Sequence, residues 1–169
     1  ADDVVRYLPA SGYSGNDQFI YTVSDGTTNR SSGVVSVVVD STYAGYAQGT
    51  DGSDVVFASN RSNSSYFGGA GDDLIIGGVR GGNFAGGAGD DIILALGKSL
   101  IEGNEGDDIL IGGGRGDTLS GGTGNDVLYG GRGKDTFIFR NGYDSDMIVD
   151  FDAGRRTRQN FIAGDMITI

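Results

Sequence analysis

The sequence predicts an all-β protein in which most of the chain is a short repeat rich in glycine and aspartate. Glycine supplies 33 of the 169 residues, and 23 of them lie between Gly68 and Gly133. Glycine normally makes up about 7% of a chain, and this excess opposes α-helix because glycine is a poor helix former. Within the same stretch a large apolar residue returns about every nine residues, a spacing that indicates stacked strands and turns.

The composition excludes several classes of site. The chain has no cysteine and no histidine, which removes disulfides, thiolate and imidazole zinc sites and the most frequent catalytic base. Its formal net charge of −11 opposes binding to nucleic acid or to an anionic membrane, since both are polyanions. No apolar run approaches the roughly 18 residues of a membrane-spanning helix. The acidity indicates a divalent cation as partner.

No enzymatic activity is expected. Carboxylate pairs recur in every repeat instead of marking one place in the chain, so they do not resemble the acid and base of a glycosidase. We therefore predict no catalytic residues.

The first 44 residues differ from the repeat and predict about three strands. Val4–Leu8 reads as a strand stopped by Pro9, Asp17–Val23 alternates between apolar and polar residues, and Val34–Val39 reads as another strand. Asp25-Gly26 is a turn signal between the last two. About 40 residues are too few for an independent core.

The repeat follows the register Gly-Gly-x-Gly-x-Asp-x-U-x, in which U is a large apolar residue. Clear copies begin at Gly68, Gly86, Gly121 and Gly130, and near copies begin at Gly49, Gly103, Gly112 and Asn141. Weak units fill the gaps at Ser59–Phe67, Gly77–Ala85 and the eight-residue Ala95–Glu102. The phase is broken by one inserted residue, Ala58, and by two, Phe139 and Arg140.

This register has a chemical meaning. Glycines at positions 1, 2 and 4 allow positive φ and sharp turns that expose main-chain carbonyls, and position 6 adds a carboxylate. Hard oxygen ligands without histidine or cysteine suit calcium, which takes six to eight of them. Positions 7 to 9 form a short strand whose position-8 side chain points inward. The predicted inward residues are Val56, Tyr66, Ile75, Phe84, Ile93, Leu110, Leu119, Leu128, Phe137 and Ile148.

The candidate calcium ligands are the position-6 aspartates together with turn residues that offer carbonyl or side-chain oxygens. They are Gly49, Asp51, Gly52, Asp54, Gly69, Gly71, Asp73, Gly87, Gly89, Asp91, Asn104, Gly106, Asp108, Asp117, Gly122, Gly124, Asp126, Gly131, Gly133, Asp135, Asp144 and Asp146.

Residues 49–149 resemble the RTX family, the hemolysin-type calcium-binding nonapeptide repeats. The resemblance implies a right-handed parallel β-roll in which two units make one coil and calcium lies between turns on the same side. It also implies folding on calcium binding and export by a type I secretion system. The tail, with Met147–Phe151 and the closing Gly164–Ile169, is similar to the segment that caps such rolls.

Residues 4–39 resemble the second half of a cadherin-like or immunoglobulin-like repeat of bacterial adhesins. The matching residues are Tyr7–Pro9, Gly12–Asp17, Phe19–Gly26 and Val34–Val39. We therefore expect three parts: a partial β-sandwich segment at 1–44, the roll at 45–149 and its cap at 150–169.

Since alternate turns of such a roll face opposite sides, position 6 can be sorted into two rows. The first row is Asp54, Asp73, Asp91, Asp108, Asp126 and Asp146; the second is Ser64, Gly82, an apolar residue near Leu100, Asp117 and Asp135. We predict about five calcium ions in the first row and about one in the second, a total of about six that would nearly balance the charge of −11.

The remaining positions carry two open questions. Positions 7 and 9 of the first-row units are all apolar, which predicts an apolar outer sheet face covered by the N-terminal strands, the tail or a second copy of the chain. The alternative is that a locally altered register buries this sheet from both sides. Asp72, Asp90 and Asp107 at position 5 either attract ions or form a solvated acidic face.

Three functional classes fit this sequence. The favoured one is a calcium-binding structural module of a secreted or surface-bound bacterial adhesin. The alternatives are the RTX domain of a secreted enzyme, such as a protease, lipase or epimerase, and a ligand-binding module that uses the polar side of the roll.

Overall fold

The structure, a computed structural model, describes residues 15–24, 30–39, 46–58, 64–140, 144–151 and 166–168. All regular elements in these ranges are strands, which confirms the predicted all-β class, and none of the described residues forms a helix that could cross a membrane. In chain order the strands are β1 (Gly15–Ser24), β2 (Arg30–Val39), β3 (Tyr46–Gln48), β4 (Asp54–Phe57), β5 (Ser64–Ala70), β6 (Leu74–Ile76), β7 (Gly82–Ala88), β8 (Ile92–Leu94), β9 (Leu100–Glu105), β10 (Ile109–Ile111), β11 (Thr118–Thr123), β12 (Val127–Tyr129), β13 (Thr136–Ile138), β14 (Met147–Ile148) and β15 (Met166–Thr168).

Consecutive strands of the repeat alternate between two sheets, so each coil contributes one strand to each. The first sheet has the order β1-β2-β4-β6-β8-β10-β12-β14, and the second has the order β15-β13-β11-β9-β7-β5-β3. Every pairing is parallel except that of β1 with β2. The chain therefore forms a parallel β-roll of stacked coils, as the repeat predicts.

Coil length follows the breaks in the repeat. Ile75 pairs with Ile93, two full units further along the chain, as expected for a regular coil. The coil that pairs Val56 with Ile75 is longer because Ala58 is inserted in it. The coil from Ile93 to Leu110 contains the short unit and is shorter, and the coil from Leu128 to Ile148 contains Phe139 and Arg140 and is longer. The turns absorb every insertion and deletion, since the apolar residues fix the strands.

The core is a single file of side chains between the sheets. The predicted inward residues from Val56 to Phe137 are all at most 1% exposed, and Ile148 is half-buried at the end of the file. Tyr66 and Phe84 stack with ring centroids 5.5 Å apart. Full burial of one such side chain contributes about 1.5–3 kcal/mol to stability. A single coil therefore has too small a core to be stable alone, and its stability depends on stacking against neighbouring coils.

The short unit corrects one prediction. The structure places Ser99, not an apolar residue near Leu100, at position 6, where its N–H donates to Asp117 Oδ1 at 2.7 Å. Ile101 is the inward residue and is fully buried, whereas Leu100 is half-buried on the outer face. The turn of this eight-residue unit is one residue shorter, because Ile101 stays in register with Phe84 and Leu119.

The N-terminal strands lengthen the first sheet. β1 and β2 form an antiparallel hairpin, and β2 pairs in parallel with β4, from Ser36 with Asp54 to Val39 with Phe57. Strand β1 contains the strand predicted at Asp17–Val23, and β2 contains the one predicted at Val34–Val39. The strand predicted at Val4–Leu8 lies outside the described residues. The expectation that these strands cover the face of the sheet is wrong for β1 and β2, which join its edge through main-chain hydrogen bonds.

The outer face of the first sheet is apolar, as positions 7 and 9 predict. Ile92 and Ile109 are 42% and 37% exposed, and Phe57 and Met147 are exposed beside them. The tail contributes β14 to the first sheet and β15 to the second, where β15 pairs with β13. Self-association through the apolar face stays a prediction.

Candidate metal sites in the turns

The first row of turns contains a ladder of buried aspartates. From Asp73 onward, each position-6 carboxylate accepts, through Oδ1, the main-chain N–H of the aspartate one coil earlier. Asp73 accepts from Asp54 at 2.7 Å, Asp91 from Asp73 at 2.7 Å and Asp108 from Asp91 at 2.8 Å. Asp126 and Asp146 continue the ladder at 2.9 and 3.1 Å. Asp54, Asp73, Asp91, Asp108 and Asp126 are at most 3% exposed.

The second oxygen of these carboxylates is buried without a hydrogen-bond donor. This holds for Oδ2 of Asp73, Asp91, Asp108, Asp126 and Asp146. At Asp54 the roles are exchanged, because Oδ2 accepts the hydroxyl of Thr50 at 3.0 Å and Oδ1 is left. A buried acceptor without a partner costs about 1–3 kcal/mol, and more when it is charged. A row of them points to a bound cation.

Main-chain oxygens approach the same places. At Gly68 and Gly103, a Cβ would overlap Oδ2 of Asp73 and of Asp108. Each of these Cβ positions also lies 2.6 Å from the carbonyl oxygen of the position-1 glycine in the next coil. That glycine is Gly86 for Gly68 and Gly121 for Gly103. Carboxylate and carbonyl oxygens therefore converge at the position-1 glycines, of which the list of candidate ligands contained only Gly49. Their recurrence in the repeat is the signal that could have found them.

Positive φ is confined to part of the predicted set. Positions 2 and 4 adopt it in the well-formed turns, whereas the position-1 glycines do not, so the prediction for position 1 is wrong. In the first-row turns from Gly68 to Gly121, position 1 lies within the preceding strand and needs glycine for space, as at Gly68 in β5 and Gly103 in β9. The predicted turn residues with positive φ are Gly69, Gly71, Gly87, Gly89, Asn104, Gly106, Gly122, Gly124, Gly131 and Gly133.

The outermost candidates are less enclosed. Asp51, Gly52 and Asp144 are exposed, and Gly49 is half-buried. Gly52 has open space where a Cβ would be, whereas a Cβ on Gly49 would lie 2.5 Å from Asp54 Oδ2. Gly49 therefore shares the crowded geometry of position 1, and Asp51, Gly52 and Asp144 do not reach the carboxylate ladder among the described contacts.

The second row repeats the geometry only at its C-terminal end. Ser64, Gly82 and Ser99 occupy position 6 in the first three turns, and Asp117 and Asp135 occupy it in the next two. Asp135 Oδ1 accepts the N–H of Asp117 at 2.8 Å. Asp117 Oδ2 is buried without a donor, and the Cβ point of Gly112 lies 2.7 Å from it and 2.6 Å from the Gly130 carbonyl oxygen.

The position-5 acids form a separate ladder on the surface. Asp72, Asp90 and Asp107 are exposed, and each accepts an N–H from the following coil, at 3.0 Å from Asp90, 2.9 Å from Asp107 and 2.8 Å from Asn125. The direction is opposite to that of the buried ladder. These carboxylates therefore tie neighbouring turns together at the solvent boundary.

The buried carboxylates are hard to ionise in the absence of a cation. Burial raises the pKa of Asp73 and Asp108 to about 7 and that of Asp91 and Asp126 to about 6, from an ordinary value of 3.8. Burial likewise raises the pKa of Asp117 to about 7. Neighbouring carboxylates add to the shift, and the hydrogen bond from the main chain opposes it.

These shifts predict a pH dependence. Between about pH 4 and 7 the metal-free coil binds more protons than the unfolded chain, so its free energy of unfolding falls as the pH rises. In calcium-free buffer the protein should therefore have more β-structure at pH 5.5 than at pH 7.5. Circular dichroism and thermal melting of the chelated protein at the two pH values measure the effect. Equal spectra and equal melting temperatures at both pH values would contradict these pKa shifts.

The donor set decides the class of metal. Among the described residues no three acidic side chains converge on one point, so carboxylates alone cannot complete a site. The main-chain carbonyls beside the position-1 glycines offer further protein oxygens. An all-oxygen set of mixed carboxylates and carbonyls suits calcium, and the residues present fit that ion.

Family comparisons agree with this chemistry. Residues 111–146 match the family of the RTX calcium-binding nonapeptide repeat, in four copies. The turns of these residues are RTX calcium-binding repeats. Residues 1–38 match a bacterial Ig domain. No curated protein and no solved structure gives a significant match. RTX repeats on a parallel β-roll indicate a calcium-binding structural module of a bacterial protein.

Proposed function

We propose that the chain is a module of an exported bacterial adhesin that stays unfolded in the cytosol and folds when it meets calcium outside the cell. The observation that carries the proposal is the ladder of buried aspartates whose second oxygen has no donor. A fold that buries such a row of carboxylates needs bound calcium, so calcium binding controls whether the chain is folded or unfolded.

The switch is electrostatic. Without calcium, carboxylates in adjacent coils would lie about 4.8 Å apart, the spacing of neighbouring strands, and would repel each other in a poorly solvated row. Calcium replaces this repulsion with attraction, so binding and folding are one equilibrium. Extracellular calcium modules work at about 10⁻⁴–10⁻³ M, a range that separates the outside of the cell from the cytosol and suits export through a type I system.

The ions are proposed to be distributed unequally. The first row offers gaps between six aspartate-bearing turns, and the second row offers one, between Asp117 and Asp135. We expect about six ions, five of them in the first row, and Asp117→Asn should remove one without unfolding the remaining coils. Native mass spectrometry counts the ions, and crystals of the loaded protein locate them. Equal numbers on both sides would contradict the asymmetry.

The adhesin assignment is supported by the N-terminal segment. The Ig-domain match covers residues 1–38, and its strand β2 pairs directly with β4 of the roll. The Ig-like strands and the roll therefore share one sheet.

Limited proteolysis tests the export switch. At submicromolar free calcium the chain should be digested rapidly, and at about 1 mM calcium residues 46–140 should resist. Magnesium at the same concentration is the control and should not protect, because it demands tighter octahedral geometry. Resistance to protease without calcium would contradict the proposal.

A further inference from the structure

The second row of turns carries a stripe of positive charge on an acidic protein. Arg80, Lys98, Arg115, Arg132 and Lys134 all belong to its turns and all are exposed, whereas the chain as a whole has a net charge of −11. The acids of the position-5 ladder lie on the first row. The two sides of the roll therefore differ in charge: the second row of turns carries exposed cations, and the first row carries exposed carboxylates.

Two of these cations stand in turns that lack a metal ligand. Arg80 and Lys98 flank the position-6 residues Gly82 and Ser99, whereas Arg115 and Lys134 flank Asp117 and Asp135. The two turns stack directly, because a Cβ on Gly81 would overlap the carbonyl oxygen of Lys98. With coils about 4.8 Å apart, Arg80 and Lys98 are adjacent cations whose own turns lack a position-6 carboxylate. Lys98 interacts electrostatically with Asp117 in the next coil.

A groove opens beside them on the outer face of the second sheet. Its volume is about 580 Å³, and its lining includes Arg80, Lys98, Asn83, Ser99, Leu100 and Thr118. Asn83 pairs with Leu100, and Leu100 pairs with Thr118, in neighbouring strands. The lining has no carboxylate. It thus combines two cations with amide and hydroxyl groups and one apolar side chain.

We propose that this groove binds an acidic unit of an anionic polysaccharide. Arg80 and Lys98 bind the carboxylate or sulfate, Asn83 and Thr118 hydrogen-bond to sugar hydroxyls, and Leu100 packs against an apolar face of the ring. Nucleic acid fits less well. The lining offers no aromatic ring on which a base could stack, and a net charge of −11 repels a polymer as densely charged as DNA.

The test uses the full chain loaded with calcium and two polymers with one backbone, carboxymethyl-dextran and neutral dextran. Isothermal calorimetry at fixed free calcium should show binding of carboxymethyl-dextran only. The double variant Arg80→Gln with Lys98→Gln should weaken binding at least about tenfold. The matched control, Arg132→Gln with Lys134→Gln, removes the same charge outside the groove and should change affinity less than about threefold.

Three results would overturn the proposal: no binding of carboxymethyl-dextran, equal binding of dextran, or an equal loss in the two double variants. A short DNA duplex bound more tightly than the polysaccharide would overturn the choice of ligand. Because Lys98 is next to Ser99, which contacts Asp117, Arg80→Gln alone serves as a second variant away from any metal ligand. Circular dichroism of the same samples reports folding, so failure of the calcium switch is distinguished from failure of the groove.

Discussion

Asp108→Asn should raise the calcium concentration needed for half-folding by at least about tenfold, the scale on which changes at a metal site act. Asp108 is fully buried, its Oδ1 accepts the N–H of Asp91 at 2.8 Å, and its Oδ2 has no donor. Asparagine can keep the first contact, but it places an amide N–H₂ where an oxygen ligand is needed. The variant therefore isolates the ion-binding oxygen.

The neighbouring Asp107→Asn is the matched control. It makes the same change of shape and charge at the adjacent position, on an exposed side chain whose Oδ1 accepts the N–H of Asn125 at 2.8 Å. Asparagine preserves that hydrogen bond, so the calcium midpoint should move by less than about threefold. Calcium titrations followed by far-UV circular dichroism compare the two. Equal shifts would mean that bulk charge, and not the buried ladder, governs calcium binding.

Gly121→Ala should strongly destabilise the calcium-loaded roll. Its Cβ would overlap Oδ2 of Asp126 and lie 2.6 Å from Asp126 Cβ. The φ of Gly121 is not positive, so the effect comes from lost space and not from backbone strain. Overpacking costs about 1–3 kcal/mol, and here the methyl group also fills the place where carboxylate and carbonyl oxygens meet. We expect the calcium-loaded protein to melt at least about 4 °C lower.

Gly114→Ala is the control for this substitution. No atom lies within 4 Å of the Cβ position of Gly114, and its φ is not positive. The variant should melt within about 1 °C of the parent protein, since a surface change away from contacts alters stability by less than about 0.5 kcal/mol. Differential scanning fluorimetry at saturating calcium measures both. Equal melting temperatures for the two variants would show that position 1 is not crowded.

The repeat made the core predictable. One large apolar residue in each unit, two places after the aspartate, leaves a single register in which Ile75, Ile93 and Leu128 all point inward. The longer and shorter coils follow from the same register because turns tolerate insertions and deletions, whereas the packed strands do not.

Other features could be identified only from the way the coils stack in the structure. The short unit does not itself show which residue is missing, and only its pairing with the strands of Phe84 and Leu119 identifies Ile101 as inward. The strand propensity of Val34–Val39 predicts a strand but not its partner, β4. Arg80 and Lys98 lie in different repeat units and become neighbours only when one coil lies on the next.

Far-UV circular dichroism during a calcium titration tests the central claim most directly. Chelated protein should show an unfolded spectrum at neutral pH, calcium should produce a cooperative gain of β-structure at about 10⁻⁴–10⁻³ M, and magnesium should not replace it. Renewed chelation should reverse the change. A chelated protein that keeps the β-structure and the melting temperature of the loaded form would contradict the account.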